Sequence, residues 1–318
     1  MHKYLTLEFY RLLFTIIICL HHSQLVPFIR HGYLAVEFFF IVSGFLLCRS
    51  FYEKGLTVKN YFVGRIKKLY PQYLFALVAI SCYLLFRFFY HGMGNIESIG
   101  LNFLSELFVV QGLLPCLGAN NYPMWYLAVL IWGGLIVYFI LKKCSSKLLP
   151  VICPSFVIGY YIYNFSVSNS IELWSGINTL LRGIADMFIG LMLYKIVARN
   201  TKTDSIKKYS VLFKIIGLIG LGICICSEQY LDIFSLLFFP ILLVGVLYSN
   251  TDVFHISKIS KYCYPMYLNH ALVLDFSRRI LLRYMDGEWV ACCCVVLILF
   301  YSILTYHIVN WMQYKITG

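Results

Sequence analysis

The sequence predicts an all-α fold: a polytopic membrane bundle of about ten transmembrane helices, one domain over 1–318, with the N-terminus and C-terminus both cytoplasmic. Three observations predict it. Of 318 residues, 61% are hydrophobic and only 13% charged, whereas soluble domains run near roughly 45–50% and about 25%. The apolar residues gather in blocks close to the ~20 residues that a bilayer-crossing helix needs. The charges sit in short interruptions between those blocks, so the spans consume nearly the whole chain and leave no room for a soluble domain.

Taken in order, the apolar blocks place spans near 7–27, 33–50, 70–90, 123–142, 149–164, 178–197, 211–227, 230–248, 262–281 and 288–310. The first is not expected to be a cleaved signal peptide. It carries Glu8, Arg11, His21 and His22, and no small-residue cleavage site follows it. A further apolar stretch, 102–117, is short for a crossing and reads as a re-entrant or interfacial piece, or as an extra span that would change the topology. His91 and His255 read as loop residues. No repeat and no inverted symmetry of the transporter kind is visible.

The formal charge of +12 reports orientation rather than nucleic acid, which would require a basic face on a folded surface. Lys and Arg accumulate in cytoplasmic loops. With the N-terminus inside, 19 of the 26 basic residues fall in loops on that side. Arg278, Arg279 and Arg283 break the pattern, which points to an external ligand or a misplaced ninth segment. Membrane lipids, through anionic headgroups, are the bystander partners of the remainder. The 12 cysteines lie mostly inside apolar blocks, where Cys acts as a small hydrophobe. No pair has zinc-site spacing, so no metal is expected.

Ionisable groups inside spans are informative, because each costs about 2.5–3.5 kcal/mol on insertion scales and persists by pairing or by function. Glu8 and Arg11 stand three apart and can pair on one helix face. Arg11 and His22 stand eleven apart, which at about 100° per residue returns them to one face roughly 16 Å apart. The blander reading is that Arg11 snorkels to the headgroups and His21–His22 mark the helix end. Glu37 precedes an aromatic run and a Ser43-Gly44 pair. Either that pair allows close helix packing, or Glu37 holds His22 or His31 in a chosen tautomer. Arg182 lies within an apolar run, with Asp186 four residues on as its structural partner.

These residues form a pattern. Arg11 and His22 with ten residues between, then GYLAVEFFFIVSGFLL from Gly32, then Arg65-Ile66-Lys67-Lys68-Leu69-Tyr70-Pro71, resemble the acyltransferase-3 family of integral membrane O-acyltransferases. The segments Asn121–Leu127, Arg182–Gly190 and Tyr264–His270 resemble its later motifs, in order. Glu37 stands where the family more often has Asp, and Lys68 where it has Arg, which loses the bidentate fork for phosphate. An acidic residue that often follows the Trp-x-Leu segment is absent, and the chain reads as the stand-alone form.

The resemblance implies transfer of an acyl group, most often acetyl from acetyl-CoA, to a hydroxyl on a cell-surface polysaccharide or a lipid-linked sugar. It implies a multi-pass protein of the cell membrane, of the bacterial cytoplasmic kind. Its implied catalytic residues are His22 as base, Glu37 orienting or stabilising it, and Arg11 at the CoA end or the developing oxyanion. Arg65, Lys67, Lys68 and Arg182 are the implied CoA-binding residues, the first three doubling as topology determinants. Trp125 and His270 are assigned to the acceptor, with His270 readable also as a second base or an Asn269-paired structural group. The alternative is an exporter of polysaccharide or lipid whose intramembrane Arg and His line a pathway; it predicts transport without dependence on acyl-CoA. Nucleic acid is not among the expected partners, and the oligomeric state is not readable.

Overall fold

A computed structural model describes residues 5–113, 118–171, 176–199, 207–227, 229–249, 256 and 258–317. Among these the fold is all-α, with no strand. The helices are α1 (Leu5–Ser23), α2 (Ala35–Lys54), α3 (Val58–His91), α4 (Ile96–Leu107), α5 (Trp125–Lys143) and α6 (Leu149–Ser168). They continue with α7 (Ile177–Arg199), α8 (Ser210–Cys226), α9 (Ser235–Leu247), α10 (Cys263–Leu281) and α11 (Gly287–Thr317).

Six segments among the described residues are long and apolar enough to cross a membrane: Gly32–Lys54, Val58–His91, Tyr122–Lys143, Leu149–Ser168, Tyr230–Leu247 and Gly287–Lys315. Their outward faces carry exposed large apolar side chains such as Phe89, Ile158, Ile162, Phe300 and Leu304. Exposed groups of that size on most of the long helices require a lipid solvent rather than water. Helices α1, α7 and α10, with 19, 23 and 19 residues, are long enough but more polar. They carry Arg11, His22, Arg182, Asp186 and His270, and they pack against α2, α5, α6 and α11.

Two elements differ from the sequence reading. The basic stretch of Arg65, Lys67 and Lys68 is the start of α3, not a loop. Thr57 caps that helix, its Oγ1 accepting the Asn60 N–H at 3.2 Å, and the charges that end the apolar window do not end the helix. At about 1.5 Å per residue its 34 residues exceed the ~30 Å hydrocarbon core, so its basic first turns project past the core. His91 closes α3, with Gly92 in the left-handed region as its cap; His255 lies outside the described residues. The stretch 102–117 holds the second half of α4, and 114–117 lie outside the described residues. The 12 residues of α4 are too few to span.

The pair α2–α7 forms the tightest part of the centre. A Cβ on Gly44 would overlap the Met187 carbonyl, and one on Gly190 would overlap that of Ile41. Small residues let two helices approach to backbone contact, and this approach brings Glu37 on α2 against Arg182 on α7. Gly190→Leu is therefore expected to destabilise the protein by about 1–3 kcal/mol or more through overpacking, read as a lower melting temperature in detergent. Gly64→Leu, with nothing within 4 Å of the new Cβ, is the matched control and does not lower it.

Candidate functional site

At the end of the bundle that carries the N-terminus, a cavity of about 510 Å³ opens between α1, α2, α3, α5, α10 and α11. Four cations line it, Arg11, Arg65, Lys68 and Lys261, against one carboxylate, Glu8. Arg11 and Glu8 pair across three residues at 3.2 Å, as their spacing predicts. Lys261 lies 4.9 Å from the ring centre of Tyr262 and 5.5 Å from that of Tyr306, contacts that hold the ammonium by cation–π attraction. Arg65 Nε donates to Tyr61 Oη at 3.3 Å. Lys67, one residue from Lys68 and so about 100° around α3, is exposed and outside the cavity lining.

Helix direction orders the cavity. Along α1 the lining runs from Glu8 through Arg11 to Thr15, and along α10 from Cys263 and Tyr264 to Tyr267. On α2, which runs the opposite way, Leu46 is nearest the mouth and Ser43 and Phe39 are deeper; Tyr126 lies deeper than Leu130 on α5 for the same reason. The mouth is thus cationic. The floor is made by Tyr126 and Tyr267, 7% and 6% exposed, whose rings meet edge to face at 5.1 Å.

Beyond that floor stand two imidazoles. The Tyr267 ring lies 5.6 Å from His270, and His270 stacks on His22 at 5.2 Å with 23° between the planes. His270 Nδ1 lies 2.7 Å from the Tyr267 carbonyl oxygen. A carbonyl only accepts, so Nδ1 carries the proton and Nε2 keeps its lone pair. That Nε2 is buried and has no hydrogen-bond partner among the described residues. Asn269 does not pair with His270; its Nδ2 donates to Thr305 Oγ1 at 3.1 Å. His22 is half-buried at the end of α1, 5.0 Å from Tyr122.

Tyr122 is held over the histidines by a buried carboxylate that the sequence reading passed over. Glu106 accepts the Asn121 N–H at 2.9 Å on Oε1 and the Asn120 N–H at 3.0 Å on Oε2. Tyr267 Oη donates to the Pro123 carbonyl at 2.8 Å and Asn121 Nδ2 to that of Leu268 at 2.8 Å. Burial pushes the Glu106 carboxyl up to about 7, the two amide bonds opposing the shift. Because the folded value is raised, the folded state binds the proton more tightly than the unfolded one. Stability is then greatest below about 4.5 and falls as pH rises toward about 7. Melting temperatures measured across that window are expected to decline, and Glu106→Gln to remove that part of the slope.

Glu37 meets Arg182 rather than an imidazole. Arg182 Nε donates to Glu37 Oε1 at 2.6 Å, and Nη2 donates to the same oxygen. The two side chains are 2% and 0% exposed. The guanidinium lies between the rings of Tyr33 and Trp125, 5.9 Å from each centre. Asp186, the partner that spacing offered to Arg182, accepts Tyr161 Oη at 2.6 Å. Arg182 and Trp125 lie outside the cationic cavity. At the opposite end from the cavity mouth, Arg278 Nη1 donates to the Ser23 carbonyl at 3.0 Å, capping α1 beside His22, and Arg279 pairs with Asp275 at 3.0 Å. Two of the three arginines that broke the charge pattern thus have structural partners.

The structure therefore sorts the sequence-derived residues into three groups. Arg11, Arg65 and Lys68 share the cavity; His22 and His270 share a stack; Glu37, Arg182 and Trp125 form a buried cluster. Lys261, Tyr126 and Tyr267 were not singled out as site residues, though Tyr126 and Tyr267 fall within motif segments. The signal for Lys261 is its charge, which is also among those that report orientation.

Comparison with known proteins bears on the family of the chain. A family model described as an acyltransferase domain matches residues 4–307. A protein of Acidianus two-tailed virus named "Putative acetyltransferase ORF330" is 30% identical over 145 residues, 44% of this chain and 42% of that protein. The matched region thus spans less than half the length of that relative. No solved structure matches the chain. With nearly its whole length covered by one family model, the chain is a multi-pass membrane protein that belongs to the acyltransferase-3 family.

Proposed function

We propose that the protein is a membrane O-acyltransferase that moves an acyl group, acetyl in the first instance, from acyl-CoA to a hydroxyl of a cell-surface polysaccharide or a lipid-linked sugar. The observation that carries this reading is the cavity whose mouth holds Arg11, Arg65, Lys68 and Lys261 and whose floor abuts the His22–His270 stack. CoA is a polyanion with a long neutral arm ending in the thioester. Cations at the mouth suit its phosphates, and a less charged interior suits the arm.

In this reading the protein lies in the bacterial cytoplasmic membrane with both termini and the cavity mouth on the cytoplasmic side. The basic residues of the predicted inner loops support that orientation. The ten helices other than α4 among the described residues support ten spans. Arg11 stands roughly 16 Å below His22 by the helical rise, so it serves the donor and not an oxyanion beside the histidine.

The chemistry is a displacement at the thioester carbonyl. The acceptor O–H gives its proton to an imidazole, its oxygen bonds the carbonyl carbon, the C–S bond breaks, and the CoA thiolate takes up a proton. A sugar hydroxyl needs a base, and imidazole titrates nearest neutrality. His22 takes the proton, with His270 Nε2 beside it as a second acceptor. Glu37 contributes by fixing Arg182 beneath Trp125, so its role is positioning. Arg182 and Trp125 then face the acceptor side rather than CoA.

Incubating the purified protein in vesicles with labelled acetyl-CoA and surface glycan tests this. Ester-linked label on the glycan is the expected result. Glycan movement without any need for acyl-CoA would favour the exporter reading. Within that assay, Lys68→Ala is expected to raise KM for acetyl-CoA about three- to tenfold with kcat little changed, the scale of one charge-assisted bond discounted for exposure. Lys67→Ala leaves both constants unchanged.

A further inference from the structure

The floor of the cavity is a second point of selection. Six helices place their lining residues so that cations lie at the mouth and Tyr126 and Tyr267 close the far end. The two rings pack against each other at 5.1 Å, and each is braced from behind. Tyr126 lies 4.7 Å from Phe40. Tyr267 is tied by its hydroxyl to the Pro123 carbonyl at 2.8 Å and backed by His270 at 5.6 Å. A wall held this way does not yield to a flexible chain as a lone surface side chain would.

We propose that Tyr126 and Tyr267 set the acyl length that the protein accepts, admitting a two- to three-carbon group and rejecting longer chains. The proposal rests on the donor reading above. With the phosphates fixed at Arg65, Lys68 and Lys261, the acyl group is the leading end and meets the two rings first. A short group brings the carbonyl carbon closest to the floor, on whose far side His270 backs Tyr267 at 5.6 Å. Each added methylene holds that carbon further back, away from the histidines, or forces the wall open. Discrimination by one methylene in a pocket runs about 10- to 200-fold.

The test uses the full-length protein in detergent or vesicles with a ladder of acyl-CoAs from acetyl to octanoyl. For the wild type, kcat/KM is expected to fall at least about tenfold between propionyl and hexanoyl. Tyr126→Ala is expected to flatten that profile, and Tyr126→Phe, which keeps the ring, to leave it unchanged. A flat wild-type profile, or one that Tyr126→Ala leaves steep while acetyl transfer persists, overturns the proposal. If Tyr126→Ala fails to fold, the wild-type profile and a Tyr126→Leu variant decide it in the same way. Absence of binding to CoA or any acyl-CoA would instead contradict the donor reading, so the two failures are distinguishable.

Discussion

His22→Ala is expected to lower acyl transfer by about 10²–10⁴-fold, the range that a positioned general base contributes, with membrane levels of the protein unchanged. The side chain is half-buried at the last turn of α1, where its ring meets those of His21, Tyr122 and His270. Among the described residues its removal breaks no charge pair. Lost activity with normal folding separates a chemical role from a packing one. His270→Ala differs, because that ring is fully buried and bonded to the Tyr267 carbonyl, so its loss is expected to affect stability as well as rate. Full activity in His22→Ala would remove the imidazole stack from the reaction.

Arg182→Ala is expected to be the most damaging substitution for the fold. The guanidinium is among the largest fully buried side chains, and it donates twice to Glu37, itself 0% exposed. Removing one partner of a buried pair costs about 3–5 kcal/mol, because the other charge is left without compensation. The cavity also leaves Tyr33 and Trp125 without the cation between them. Arg182→Lys keeps the charge but not the fork, and intermediate stability is expected. Replacing Arg182 and Glu37 together by Met removes both charges and is expected to restore most of the melting temperature. Activity stays low if the pair positions Trp125 for the acceptor. Recovery of activity in the double variant would reduce the pair to a structural role.

The helices were legible in the sequence because each apolar block is bounded by charge or turn residues, and the hydrocarbon core fixes the block length. The start of α3 was not, since hydropathy reports what lies in lipid and a helix can continue past it, as Val58–Leu69 do. On α1, Arg11, Glu8 and His22 were placed on their face by helical spacing alone. Spacing reports only neighbours within one helix. The Glu37–Arg182 pair joins residues 145 apart, and the His22–His270 stack joins α1 to α10, so neither partner follows from local pattern. Glu106 escaped for a related reason: its carboxylate is satisfied by the backbone of Asn120 and Asn121, which no side-chain motif announces.

The donor cavity carries the functional account, and a structure of the protein determined with CoA bound tests it most directly. The expected result places the CoA phosphates beside Arg65, Lys68 and Lys261, with the sulfur-bearing end directed at Tyr126 and Tyr267. CoA density at any other face of the bundle, or an occupied cavity with the nucleotide end against the tyrosines, would contradict it.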